Sequence, residues 1–499
     1  METILTAYEM FERSARFYKD MPAIIFESTP TNGGFPVVSK NWTYRDLLRH
    51  INIFAHALAS SGVMHGDKVC LSLPNSPNLI AAYFALSKLG AVSIMLNPAL
   101  PEEQKNNIAK ETGSVILIDE DTAKNMCTGK LSARTDFPPD NNPLCPEDAS
   151  AVLFSSGTTG EQKGVELTVK NIFHNVKYTS VLTGMTPADK IICFIPLTHC
   201  FGLNFVMTAC FYTGATLVLH EKFDPNQVLN SLAENQVSMF FSSPPAYNLF
   251  LEKETDPFYF SSVRYFFYAA APLSVEAALK WKEHYGKIIY TGWGLTETTP
   301  CATSNHPSIH RLGSIGKAIP GVEVKVLDEN GKRLKMPVSW YKSDLRFYQG
   351  EICVRGANVM KGYLNNPAET AKAIDNDGWF HTGDIGYEDP DGYFFLTDRS
   401  KDMINNGGEK VWPAEVEKKI MRHPAVLEAA VIGIPHKIMG EVPKAFIVLK
   451  EEVSATAQEL QEFLKPLLTK NQFPREIEFL EKLPRNPSGK VLKKELRKK

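Results

Sequence analysis

The segment Ser155-Ser-Gly-Thr-Thr-Gly-Glu-Gln-Lys-Gly164 concentrates residue types that handle anions. Its glycines, Gly157, Gly160 and Gly164, let the backbone bend close to a ligand and leave N–H groups to cradle oxyanions. The hydroxyls of Ser155, Ser156, Thr158 and Thr159 add donors, and Lys163 adds a cation. This is the chemistry of a phosphate-holding loop. It is not the GxxxxGK[ST] loop, because Gly164 rather than Ser or Thr follows Lys163. A bias this strong between two regular segments argues against a plain flexible turn.

The elements that must position the loop are legible on either side. Ala151–Phe154 is an apolar run that predicts a strand entering it, and Leu167–Leu182 predicts a helix leaving it. Downstream, strand-like runs (Ile191–Ile195, Ala215–Leu219, Val237–Phe241, Val263–Tyr268, Lys287–Tyr290) alternate with helical segments at Asp224–Gln236 and Ser274–Tyr285. Upstream, a helix at 43–61, a strand at 68–73, a helix at 77–89 and a strand at 91–95 repeat the pattern. Such alternation implies crossover units and largely parallel sheet. From Ile315 to Leu396 short β runs and turns predict a β-rich module, read as a distorted barrel. Beyond Asp398-Arg-Ser-Lys-Asp402, helices at 413–422 and 456–469 flank strands at 426–434 and 442–449. The expected fold is α/β: a large N-terminal region of crossover βαβ sheets plus a distorted β-barrel, with a small mobile α+β C-terminal domain.

Composition narrows the class. The chain has 499 residues, a formal net charge of −2 and 43% apolar residues, which excludes disorder as the main state and a wholly cationic surface. No partnership with nucleic acid is expected. Eight scattered cysteines form no CxxC pair and have no His at zinc-ligand spacing, so they read as reduced, mostly buried thiols and no metal cluster is expected. The opening residues have no leader-like apolar core, and Phe201–Leu219 is split by Gly214 into a buried helix and strand rather than a membrane span. A cytoplasmic location is the resulting expectation.

Six motifs in order make the chain similar to the adenylate-forming superfamily of acyl-CoA synthetases, peptide-synthetase adenylation domains and luciferases. The loop is the first; Ile195-Pro-Leu-Thr-His-Cys-Phe-Gly202 and Tyr290-Thr-Gly-Trp-Gly-Leu-Thr-Glu-Thr298 follow. Then come Gly378-Trp-Phe-His-Thr-Gly-Asp384, Thr397-Asp-Arg-Ser-Lys-Asp-Met-Ile404 and Pro484-Arg-Asn-Pro-Ser-Gly-Lys490. The departures are Gln162 where the family usually has Pro, the added charge of Glu161, and a long Gly331–Gly350 connection.

The resemblance implies a two-step reaction in which a carboxylate attacks the α-phosphorus of ATP and a thiol then attacks the acyl-adenylate. It places Thr158, Thr159, Gly160 and Lys163 on the β- and γ-phosphates, with Ser155, Ser156 and Gly157 in the same loop. Glu297 is the implied Mg²⁺ ligand and Thr296 an α-phosphate contact. Trp293, beside Gly294, is an adenine platform, although a core aromatic is the plain alternative. Asp384 and Arg399 are the implied ribose contacts. Lys490 matches the catalytic lysine, which would bridge the carboxylate and the α-phosphate.

For the thiol step, the C-terminal domain (403–499) is expected to swing on the N-terminal region (1–398) about a hinge at 399–402. Lys401 matches the pivot, and Gly407 and Gly408 would reach a coenzyme A channel; Trp412 lines it or simply packs. His199 resembles a gate residue rather than a general base, although a His beside apolar residues is more often a core histidine. Lys493, Lys494, Arg497, Lys498 and Lys499 read as a solvated basic face. The substrate is expected to be a fatty or other apolar acid, since Phe201–Tyr212, Met239–Tyr247 and Tyr265–Ala271 are rich in aromatic residues. Open alternatives are transfer to an acyl carrier protein and a non-catalytic or luciferase-like member. Oligomeric state is not legible.

Overall fold

The computed structural model describes residues 3–28, 38–127, 144–155, 163–337, 345–399, 402–407, 409–450, 453–485 and 491–498. The chain divides into two compact units. Met1–His310, Ala318–Glu323 and Val354–Phe380 make the first, and Arg311–Lys317, Val324–Cys353 and His381–Lys499 make the second.

The first unit is built on two mixed sheets with helices from the crossovers. In the larger, Ile289–Gly294, Tyr265–Tyr268, Met239–Ser242, Lys190–Cys193, Thr216–His220 and Pro22–Ser28 run parallel in that order. The smaller sheet runs Gly362–Tyr363, Lys163–Thr168, Ala149–Ser155, Val92–Met95, Lys68–Leu71 and Ile116–Ile118. The strand Val92–Met95 and its neighbour Lys68–Leu71 are almost wholly buried, as expected of parallel strands covered on both faces. Helix starts follow local chemistry: Thr43, Ser76, Asp224 and Ser274 each accept a backbone N–H through their side chains.

Three parallel strands are tied at their N-terminal ends by Asp189, which is buried. It accepts from Arg264 Nε at 2.9 Å and Nη2 at 2.7 Å, from Ser238 Oγ at 2.7 Å and from the Thr186 N–H at 2.8 Å. Burial alone would raise its pKa, but these donors outweigh burial and hold the carboxyl below its ordinary value. The native pKa is depressed, so the stabilisation is present above the unfolded value of about 3.8 and is lost as pH falls through the folded value. Asp189→Asn is expected to cost about 2 kcal/mol at neutral pH. In denaturant melts the gap to the parent should close as pH drops below about 4; a gap constant down to pH 3 would remove the charge from the account.

Two sequence expectations are corrected here. The glycine-rich loop does not run into a helix. Lys163–Thr168 folds back antiparallel on Ala149–Ser155, with Ser155 opposite Lys163, and the helix Val169–Thr183 starts only after Thr168 caps it. Alternation in Lys-Gly-Val-Glu-Leu-Thr, with Val165 and Leu167 buried, makes that segment a strand before helical spacing begins. The β-rich module is also no closed barrel among the described residues. It is an open five-stranded sheet in the order Arg333–Leu334, Val322–Leu327, Gly350–Gly356, Phe380–Glu388, Phe394–Arg399. Its edge strand Arg333–Leu334 is two residues long, too short to pair across to the far edge.

The C-terminal part of the second unit is the expected α+β arrangement. Val426–His436 and Gly440–Leu449 form a hairpin whose alternate residues face opposite cores. Val431, Ala445 and Ile447 pack with Val416, Ile420, Leu460 and Leu464 from the helices Pro413–Ile420 and Ala457–Leu464. Ala430, Ile432, Phe446 and Val448 pack with Leu483 and Leu496. Both strand faces are apolar because both are covered. The basic tail is therefore not uniformly solvated: Lys493 Nζ lies 2.7 Å from Glu417 Oε1, with little of either side chain exposed. Leu496 holds the turn carrying Lys493 against the sheet, which brings the ammonium down to Glu417.

All eight cysteines are free; six are buried, Cys127 is half-buried and Cys145 is exposed. No helix among the described residues is long and apolar enough to cross a membrane.

Candidate active site

Residues 156–162, with Ser156, Gly157, Thr158, Thr159 and Gly160, lie outside the described residues, as do Lys401, Gly408 and Lys490. Their flanks are described. Ser155 and Lys163 are paired across the hairpin that closes the loop, so the loop springs from adjacent strand ends. Lys163 Nζ sits 2.5 Å from Glu369 Oε2 and 4.9 Å from the centroid of the Tyr363 ring. The two Lys163 and Lys372 ammonium groups beside Glu369 pull its carboxyl down to about 2.

Tyr363 joins this group to the Thr-Glu motif. Its strand pairs with the loop's second strand, Tyr363 opposite Val165, and its hydroxyl donates to Glu297 Oε1 at 3.0 Å. Burial, then the Glu297 charge, push the phenol well above its ordinary range, so it remains a donor at physiological pH. Lys163 and Glu297 thereby meet one tyrosine, the first over its ring and the second at its hydroxyl. Thr296 and Glu297 begin the 3₁₀ turn Thr296–Thr298, and Glu297 is buried, 7% exposed. The Asn175 and Asn358 amides hold the backbone beneath it by donating to the carbonyls of Thr298 and Cys301.

Trp293 occupies the buried face of its strand together with Ile289 and Thr291, and Tyr290 points to the other face. Gly294 is demanded by packing: a Cβ there would stand 1.6 Å from the Pro300 carbonyl oxygen. His199 stands just before the wide π-turn helix Phe201–Thr208, and its Nδ1 accepts the Phe201 N–H at 3.2 Å. That bond puts the proton of a neutral ring on Nε2. Asn75 braces the approach to His199, bonding Ile195 O, Leu197 N and His220 O. Beyond it, Phe201, Phe205, Phe241 and Phe267 form one buried ring cluster, with Phe205 stacked on Phe267 at 4.7 Å between centroids.

In the second unit Asp384 and Arg399 are cross-strand partners, so two residues fifteen positions apart share one register pair. Asp384 is 4% exposed, and its N–H donates to Thr382 Oγ1, which itself donates to Ile352 O at 2.6 Å. Glu351 grips the same turn through its two oxygens, which meet the Gly383 N–H and His381 Nδ1, each at 2.8 Å. Gly407 sits at the turn between Ile404–Asn406 and Glu409–Val411 with φ +65°, which glycine adopts without strain. Arg485 and Val491, the described residues that flank Lys490's segment, are paired antiparallel.

Tyr363, Glu369, Asn75 and Glu351 are absent from the sequence-derived site. A Gly-Tyr just before the helix start Asn366-Pro367 was the only local signal for Tyr363. The others lie far in sequence from what they touch.

The profile of the AMP-binding enzyme family matches residues 11–364, and that of the AMP-binding enzyme C-terminal domain matches residues 415–490. The chain belongs to the AMP-binding enzyme family. It is 33% identical over 484 residues to the 2-succinylbenzoate–CoA ligase of Bacillus pumilus, covering 94% of this chain and 96% of that one. To 4-coumarate–CoA ligase 4 of Arabidopsis thaliana it is 32% identical, covering 91% of this chain and 85% of that one. Among solved structures, the o-succinylbenzoate CoA synthetase of Bacillus subtilis in complex with its acyl-adenylate intermediate superposes with a TM-score of 0.85 at 28% identity, covering 99% of each chain. This AMP-binding enzyme is an acid–thiol ligase of the AMP-forming type, and its mixed α/β sheets and separate C-terminal domain are those of the family.

Proposed function

We propose that this chain activates an apolar carboxylic acid in two steps. Carboxylate and ATP give acyl-AMP and pyrophosphate; the coenzyme A thiol then displaces AMP, giving the acyl thioester and releasing a proton. The observation that carries this reading is the convergence of Lys163 and Glu297 on Tyr363, which joins a phosphate-loop cation to a buried carboxylate. The named relatives are CoA ligases for succinylbenzoate, 4-coumarate and long-chain fatty acids, and one solved neighbour carries ATP and magnesium.

Adenylation brings one anion against another, so charge must be neutralised and the groups aligned. The loop from Ser155 through Ser156, Gly157, Thr158, Thr159 and Gly160 to Lys163 binds the β- and γ-phosphates, and Lys163 exchanges Glu369 for phosphate oxygens. Thr296 meets the α-phosphate. Glu297 would hold Mg²⁺, and its buried, hard carboxylate oxygens suit that ion. Magnesium, when bound, offsets phosphate charge. Asp384 accepts the ribose hydroxyls with Arg399 beside it, and Trp293 with Gly294 borders the adenine. Lys490 steadies the charge that develops between carboxylate and α-phosphate.

The region 1–398 then keeps the acyl-adenylate while 403–499 swings about 399–402, with Lys401 as the pivot. The swing withdraws Lys490 and offers Gly407 and Gly408 to the thiol channel, gated by His199. The aromatic cluster from Phe201 to Phe267 supports an aryl or alkyl acid over a charged one.

A panel of aryl, fatty and dicarboxylic acids, assayed by AMP release with and without coenzyme A, tests this. Apolar acids should give release that depends on coenzyme A. Preference for holo-carrier protein over coenzyme A would replace the acceptor, and preference for dicarboxylates would overturn the apolar pocket.

A further inference from the structure

A second group of chemistry-bearing side chains lies in the five-stranded sheet of the second unit. Glu351 and Cys353 are two positions apart on Gly350–Gly356 and so share a face. His381 is on Phe380–Glu388, the neighbouring strand in that sheet. Cys353 Sγ lies 3.6 Å from His381 Nδ1, and Glu351 Oε2 lies 2.8 Å from the same nitrogen. One donor atom from each of the three falls within 4.8 Å of the others. The Thr382 hydroxyl on Ile352 O pins the two strands between these residues.

Geometry and chemistry agree on what such a group would take. A tetrahedral ion with a sulfur ligand at about 2.3 Å and a nitrogen at about 2.0 Å holds those two atoms roughly 3.5 Å apart, close to the spacing seen. Thiolate, imidazole and carboxylate form a borderline-soft set that suits zinc and disfavours magnesium. Cys353 is fully buried while His381 and Glu351 are about one-third exposed, which leaves an approach from solvent over a thiol floor. Three protein ligands leave the fourth position to water.

We propose that Glu351, Cys353 and His381 bind one divalent cation of the zinc class. The ion replaces the His381–Glu351 hydrogen bond with two metal bonds and takes the Cys353 sulfur as its third protein ligand. Glu351 Oε1 also holds the Gly383 N–H, one residue before Asp384, so binding pulls on the turn that carries that carboxylate. Linkage to nucleotide use rests on the ribose role proposed for Asp384; the binding itself does not.

Cobalt(II) titration of the metal-free full chain tests the site, because a Co²⁺–thiolate bond gives a near-ultraviolet charge-transfer band that carboxylate and imidazole cannot. One equivalent should produce that band with tetrahedral visible absorption, and Zn²⁺ should bleach both. Cys353→Ser should abolish the near-ultraviolet band, and Cys145→Ser should leave it intact. Since Cys353 is buried, His381→Asn at its part-exposed position is the second variant, with folding checked by circular dichroism. It should weaken Co²⁺ binding by about tenfold or more. Absence of a thiolate band, its persistence in Cys353→Ser, or unchanged affinity in folded His381→Asn would each overturn the site. A site that binds cobalt while ATP use stays unchanged would remove only the link to Asp384.

Discussion

Lys490→Ala is expected to slow acyl-adenylate formation by about 100- to 1,000-fold or more, while thioester formation from supplied acyl-AMP is largely retained. The asymmetry follows from the charge each step must manage. Carboxylate attack on the α-phosphorus gathers negative charge on a pentacoordinate centre, and a single ammonium reaching both groups stabilises that arrangement far more than the ground state. Thiol attack on acyl-AMP expels an AMP already formed and has no such demand on Lys490. The lysine directly precedes Val491, which pairs with Arg485, and Leu483 and Leu496 anchor the chain on either side in one apolar cluster. Alanine at 490 therefore removes charge without loosening those anchors. Pyrophosphate exchange measures the first step and thioester formation from synthetic acyl-AMP the second. Equal losses in both would end the two-conformation account.

Glu297→Gln is expected to lower Mg·ATP-dependent pyrophosphate exchange by about 100-fold, a loss of roughly 2.7 kcal/mol. Glutamine keeps the shape and can still accept from Tyr363, so only the charge is lost. Tyr363→Phe makes the complementary change: the carboxylate stays and its 3.0 Å donor goes. Loss of one hydrogen bond to a charged group costs about 1.5–3 kcal/mol, seen as about tenfold or more in the KM for Mg·ATP with the charge-dependent step preserved. If Glu297→Gln left pyrophosphate exchange and its magnesium dependence unchanged, Glu297 would have no place in the nucleotide site.

Glu351 shows where reading along the chain stops. The absence of CxxC pairs and spaced histidines argues against a metal cluster, and as a statement about local spacing it is sound. Glu351 and Cys353 are thirty and twenty-eight positions from His381, and only the pairing of two strands brings them to hydrogen-bond distance. The loop shows a related limit. Its residue types declare its chemistry, but Ala151–Phe154 followed by a helical pattern reads as strand-to-helix until Lys163–Thr168 is seen to pair back on the first strand. An antiparallel return depends on a partner elsewhere in the chain, whereas helical spacing is visible within one window.

Local chemistry along the chain was enough to place most of the alternating strands and helices, the cap at Asp224, the two strands of the C-terminal part and the motif order. These depend on interactions among near neighbours or on the period of burial, both of which a linear string carries. Tertiary structure alone decided that Tyr363 links Lys163 to Glu297, that Asp384 stands opposite Arg399, and that half-buried Lys493 pairs with Glu417. Each of those is a meeting of residues from separate elements, set by sheet register and packing rather than by spacing. The anion-handling residues named their chemistry; the sheets chose their partners.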